Sequence, residues 1–485
     1  MSRVTPAALL LALAALLTAC DGKVSAPDAG GHEEVDAAAP DGDDGGAGTD
    51  EGGDADPPAC AALETFETGL TPGAVLHVAT WGSDADGDGS AERPYASIAR
   101  AAQGIGPGTA VHVHSGTYPG GVYLADLAGE AGAPIWIGGA PGEPRPVLEG
   151  GGGGVQLVRV RYLVLHDLEV RDASQNGVNC DDGGERDDPE ATGQVIFRGL
   201  HIHDIGGGGN EDCLKLSGVR DYFVLDSEFA RCGGGMSGSG IDHVGCHHGL
   251  IARCRFEQMS GNAVQSKGGS ADIEIRQCWM VDAGERAVNM GGSTGFEFFR
   301  PPLSSEQPNA EARDIRVIAN VMIGSSAPIA FVGCVGCLAA NNTLVDPDTW
   351  ILRVLQETTS TAEYEFLPTR DCVFANNLVF FDRGALSTQV NVGPDTAAET
   401  FTFSSNLWYA HDDPGRSEPD ALPAAETAPI IGQDPGLADP AAADYHIGPG
   451  SPAAGRGTPW PAVRVDADGR CFASPPSIGA YEVQD

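Results

Sequence analysis

The chain has 485 residues, with 68 glycines and 33 prolines but only 6% aromatic residues, which disfavours an ordinary helical core and favours many short strands joined by glycine-rich turns. Lysine and arginine total 28 against 68 aspartates and glutamates, a formal net charge of −40. That field repels phosphate backbones and argues against nucleic acid as a partner; an acidic polysaccharide would need a local basic cleft.

The N-terminus carries Arg3, an apolar stretch from Ala7 to Leu17, and then Thr18-Ala19-Cys20. The apolar core is too short to remain as a membrane span. Residues 1–20 resemble a bacterial lipoprotein signal, and the resemblance implies that Cys20 becomes the lipidated first residue. It implies an exported, lipid-anchored envelope protein, at the outer membrane or cell surface rather than the inner membrane, held only by acyl chains in one leaflet. Residues 21–60 are mostly glycine, alanine, aspartate, glutamate and proline, with Lys23 the single lysine. They bury too little apolar surface to offset ordering, so a disordered acidic tether is expected.

A folded domain over 61–433 is expected, its first clear strand at Val75–Val78. An acidic turn follows at Ser83–Ser90, then a short helix over Pro94–Ala102 and a strand at Val111–His114. The Asp84–Gly89 stretch has calcium-loop character, yet Tyr95 stands where the closing glutamate belongs, so it reads as a solvated turn. Beyond it, short apolar strands recur, each broken by a small polar pivot. The pivots are Asp167, Gly199, Ser227, Cys254, Cys278, Asn320, Asn342, Asn377 and Asn406, at intervals of about 22 to 42 residues, as when coils keep their strands while loops vary. Asparagine at such a pivot suits a left-handed backbone and can bond along a stack.

This pattern resembles the right-handed parallel β-helix of the pectate-lyase type, an all-β solenoid, and the four asparagines resemble its ladder. The opening stretch resembles that of the family-nine pectate lyases, where a short helix caps the first coil. Residues 434–485, with Asp444-Tyr-His-Ile447 and Ser477-Ile-Gly-Ala-Tyr481, resemble the irregular closing segment of secreted β-helix proteins and are expected as a C-terminal cap.

Twelve cysteines less Cys20 leave an odd number in an exported chain, so at least one thiol stays unpaired within it. Cys254 and Cys278 fall on consecutive pivots, about 4.8 Å apart in a stack. A disulfide and a pair of buried thiols both fit. Cys334 and Cys337 form a CxxC with no second pair or histidine nearby in sequence, so a zinc site is not expected.

Only three lysines occur, and the two outside the acidic stretch, Lys215 and Lys267, fall in the central coils. Lysine, unlike arginine, can lend or take a proton. Setting Val178, Leu214, Ile241, Val264 and Val288 inward and in register places Asn179, Lys215, Asp242, Gln265 and Asn289 in one outward row. A parallel row holds Asp181, Ser217, Val244, Lys267 and Gly291, with Asp182, Asp212, His243 and Arg286 at the margins. The pairs Gly268-Gly269 and Gly291-Gly292 would leave backbone bare for a ligand.

The stretch from Gln265 to Phe299 resembles exported β-helix proteins and, more distantly, the alginate and chondroitin lyases. That likeness implies Lys267 as the base taking a uronate C5 proton and Arg286, one coil later, as the acid, although strand register puts the lyase arginine nearer Met290. The family-nine likeness implies instead a lysine base with calcium held by aspartates, for which Asp181, Asp182 and Asp212 are the candidates. Lys215, Lys267 and Arg286 would form the catalytic basic cleft; Asn179, Asp242, His243, Gln265 and Asn289 would bind substrate. The expected protein is a monomer that binds or cleaves polysaccharide, as a polysaccharide lyase or glycoside hydrolase if an enzyme; the alternative is a noncatalytic β-helical adhesin or structural surface protein.

Overall fold

The computed structural model describes Cys60 and residues 63 to 483 other than Met236. Residues 1–59, which include Cys20, the expected signal and most of the expected acidic tether, lie outside the described residues. Three parallel sheets of 15, 12 and 10 strands stack in chain order. One winding runs Thr192–Arg198, His201–Ile205, Leu214–Ser217, one strand in each sheet, and the next runs Val219–Leu225, Glu228–Cys232, Ser239–Val244. The windings lie in direct register, Ile196 on Phe223, Ile202 on Phe229 and Leu214 on Ile241. The fold is a right-handed parallel β-helix.

Alternation along each strand builds the core. Val178, Leu214, Ile241, Val264 and Val288 are paired in sequence and at most 1% exposed, so their intervening neighbours must point outward. A single apolar column fills the interior from Val78 to Ala410.

The asparagine column is present as expected. Asn320, Asn342 and Asn377 each donate from Nδ2 to the Oδ1 of the next asparagine at 3.0, 3.0 and 3.1 Å, and Asn406 donates to Glu426 Oε1 at 2.8 Å. Two details differ. The left-handed residue is the one before each rung, Ala319, Asn341, Asn376 and Ser405, so backbone reversal and ladder bonding fall to adjacent residues. Asp167 and Gly199 hold that left-handed place themselves, and the register of the strands that follow makes Leu168 and Leu200 the residues in line with Ser227, Cys254 and Cys278.

At the N-terminal end the strand is Ala74–Val78 and the helix only Ile98–Ala101. It is shorter than expected because Tyr95 is drawn into pairing, its N–H donating to His77 O at 2.9 Å. Asp84 accepts from Ala96 N and Ser97 N at 2.8 and 3.0 Å, so the acidic turn anchors the helix start.

The C-terminal segment runs along the flank of the coils. Asn341 Nδ2 donates to Ser477 O, Asn376 Nδ2 to Thr458 O, both at 2.8 Å, and Thr343 Oγ1 accepts from Ala480 N at 2.9 Å. The left-handed residues beside the ladder thus present the groups that dock it. A disulfide joins Cys60 to Cys471 in this segment, and a second joins Cys213 to Cys232. Cys254 and Cys278 are not bridged; they are two buried thiols, each directed to a backbone carbonyl. The CxxC gains a partner from the next coil, Cys372, whose Sγ lies 3.6 Å from that of Cys334, all three cysteines being fully buried.

Candidate functional site

The outward row forms on the 10-stranded sheet. Asn179 pairs with Lys215, Lys215 with Asp242, Asp242 with Gln265 and Gln265 with Asn289; in the parallel row Asp181, Ser217, Val244 and Lys267 follow one another. Asp242 is the hub. Its Oδ2 accepts a hydrogen bond from Lys215 Nζ and lies 3.4 Å from Lys267 Nζ, although the residue is only 1% exposed. Lys215 also reaches Asp212 Oδ2 at 3.4 Å, and Lys267 donates to Gln265 Oε1 at 3.1 Å. The two lysines therefore share one buried carboxylate that lies on the coil between them.

The electrostatics follow from that burial. Burial alone would raise the Asp242 carboxyl, but Lys215 and Lys267 outweigh it and hold it below its usual range. Burial, reinforced by the Asp242 charge, pushes Asp212 up to about 7. Burial would lower the Lys215 ammonium, yet Asp242 and Asp212 prevail and hold it above the ordinary lysine value. Lys215 is thus a fixed cation. Asp242 Oδ1 has no hydrogen-bond partner, and Asp212 Oδ2 has only its ion pair with Lys215.

Two cavities open above this hub. One, of about 730 Å³, is lined by Tyr123, Asn176, Asn179, Asp181, Lys215, Lys267 and Phe298; the other, of about 620 Å³, by Asn262, Gln265, Lys267, Arg286 and Asn289. Asn210, Lys267 and Ser293 line both, so the lysine pair lies along a continuous trough.

Some expected residues stand elsewhere. His243 points into the coil interior, fully buried, its Nδ1 bonded to Gln265 O at 2.8 Å; with Asp242 and Val244 outward, alternation leaves it no other side. Burial pulls it down to about 4, so it is neutral. Arg286 lines the second cavity but pairs in register with Asn262, five positions along the strand from the place opposite Lys267, and already donates to Glu357 at 2.6 Å. The three candidate calcium ligands do not converge. Asp181 accepts from Gln156 and Asn179 at 2.8 Å, Asp182 is clamped by Arg300 at 2.5 and 3.0 Å, and Asp212 sits beside Lys215. Among the described residues no carboxylate cluster on this face has the spacing of a metal site. The glycines serve the backbone: a Cβ at Gly291, where φ is +106°, would meet Val332 O at 1.7 Å.

No protein-family model and no curated protein matches the chain. Solved structures do. The chain is similar in fold to pectate lyase Pel9A. That match has 15% identity, covers 86% of this chain and 98% of the lyase, and reaches a TM-score of 0.55. A rhamnogalacturonan lyase matches at 14% identity over 72% and 90% of the two chains, with a TM-score of 0.45. An alginate lyase from Paenibacillus sp. str. FPU-7 matches at 13% over 67% and 96%, with a TM-score of 0.43. At such identities the Pel9A likeness speaks for the coil architecture.

Several residues that shape the trough carry no local signal in the sequence. Glu311, fully buried, accepts from Gly268 N and Thr294 N at 2.8 and 2.9 Å and from the Thr294 and Thr358 hydroxyls, which fixes the wall that follows Gly292. Arg300 locks the far end of that wall to Asp182, 118 residues away in sequence. Phe298, 47% exposed, lies under the Arg186 guanidinium at 5.5 Å, and Tyr123 is 61% exposed across the same cavity. Exposed rings flanked by amides and carboxylates suit a ligand with apolar faces and polar edges.

Proposed function

We propose that this is an exported, lipid-anchored envelope protein that binds acidic polysaccharide in the trough and cleaves it by β-elimination, with Lys267 as base. The carrying observation is the convergence of the only two described lysines on Asp242, beneath a trough bordered by amides and exposed aromatic rings. A sugar ring offers an apolar face to Tyr123 or Phe298 and hydroxyls to Asn179 and Asn289. Its carboxylate would pair with Lys215, whose charge is held on by its buried neighbours; neutralising that carboxylate acidifies the C5 proton. Lys267 in its neutral form would take that proton, and the resulting ammonium would pass it to the departing oxygen as the C4–oxygen bond breaks, leaving an unsaturated sugar end, a free hydroxyl on the leaving sugar and a neutral Lys267.

Incubation of the purified chain with alginate, pectate and chondroitin, with and without calcium, tests this through the ultraviolet absorbance of unsaturated uronate ends. Product from at least one polymer is expected, and Lys267→Ala should lower its rate at least about 100-fold, the scale of a lost general base. One observation favours a second reading, binding without cleavage: Lys215 and Lys267 are both already engaged by the buried Asp242 carboxylate. Retardation in gels containing the polymer, with no absorbance, would select that reading. Neither signal from any polymer would contradict the proposal.

A further inference from the structure

The outer face of the 12-stranded sheet, a different wall from the trough, carries a second cluster. Glu169 and His201 stand opposite one another on neighbouring strands, and His203 follows two residues on, opposite Arg171. Val170 and Ile202 are fully buried, so the pleat turns Glu169, His201 and His203 out on one face. One ligating atom from each lies within 4.8 Å of the other two. His203 Nε2 is 3.4 Å from Glu169 Oε1, and the two imidazoles stack with centroids 4.3 Å apart.

The other nitrogen of His203 decides the reading. Its Nδ1 lies 2.6 Å from Asp204 Oδ2. A carboxylate at Nδ1 holds the proton there and turns the Nε2 lone pair outward, as for imidazoles that bind metal. The surrounding guanidiniums are already matched: Arg145 pairs with Glu228 at 3.7 Å, Arg171 with Glu149 at 3.0 Å, and Arg231 with Asp204 through bonds of 2.6 and 2.8 Å. Arg171 also shares Glu169 Oε1 at 3.2 Å; its bond to Glu149 remains when Glu169 turns to a cation.

We infer that Glu169, His201 and His203 bind one divalent cation of the zinc class through two imidazole nitrogens and a carboxylate oxygen, with a further position open to solvent. Two nitrogens and one oxygen on a half-buried face suit zinc better than calcium, which takes six to eight oxygens.

Calorimetric titration of the chelator-treated full chain with Zn²⁺ tests this, beside the double variant His201→Gln/His203→Gln and Asp204→Asn. One tight equivalent is expected, weakened at least 100-fold in the double variant and about 10- to 100-fold in Asp204→Asn. Unchanged melting of the variants would show that the coils are intact. Co²⁺ loading supplies an independent readout: weak visible bands of nitrogen and oxygen ligation are expected. Intense thiolate charge-transfer absorption would place the metal at Cys334, Cys337 and Cys372 and overturn the inference. Absence of a tight equivalent, or equal affinity in the double variant, would overturn it too.

Discussion

Asp212 and Asp242 are each 1% exposed and lie on either side of the Lys215 ammonium. Their shared burial around one ammonium has a consequence for stability. With Asp212 raised from 3.8 to about 7, the folded chain keeps a proton between about pH 4 and 7 that the unfolded chain releases. The contribution is full below the unfolded value, falls as pH rises through that window and is flat above it. Asp212→Asn keeps the acceptor for Ser239 N, which now bonds Asp212 Oδ1 at 2.7 Å, and removes the ionisation. Its melting temperature should exceed that of the parent at pH 8 by the equivalent of about 1–2 kcal/mol, the gap closing towards pH 4. A pH-independent gap would contradict the assignment. The outward row from Asn179 to Asn289 was legible because strand alternation is strict. His243 was open to the same logic, since no residue adjacent to outward Asp242 can also face out. Arg300 and Glu311 were not legible, because their partners are brought to them by the winding.

At the scale of single elements, the ladder rung is a test of how the coils are held in register. Asn342 donates to Val317 O and Asn377 Oδ1 and accepts from Asn320 N and Nδ2, at 2.9 to 3.1 Å, with no exposure. Asn342→Ala strands several buried polar groups at once, and each costs about 1–3 kcal/mol when left unpaired. A loss of about 3–5 kcal/mol in chemical denaturation is expected; a loss below about 1 kcal/mol would show that the rung is not a structural clamp. Repeated asparagine in coil after coil made this column visible in the sequence. The flank docking of the C-terminal segment was hidden, because Asn341 and Asn376 find Ser477 and Thr458 across 136 and 82 residues. The Cys60–Cys471 bridge spans 411 residues and was hidden for the same reason, whereas consecutive pivots made Cys254 and Cys278 look pairable although each thiol finds a carbonyl instead.

Over the whole molecule, a net charge of −40 is set against a trough that holds both described lysines. Long-range repulsion of a polyanion and short-range attraction at Lys215 and Lys267 then act in opposition, so contacts in the trough, rather than the overall field, must select the ligand. The central claim is that a sugar carboxylate sits at this lysine pair. Crystals of the Lys267→Ala chain soaked with an oligouronate that the parent binds or cleaves test it most directly. The account predicts sugar density along the trough, a carboxylate within hydrogen-bond distance of Lys215 Nζ, and rings against Tyr123 or Phe298. Ordered sugar bound elsewhere, with the trough left to solvent, would contradict it.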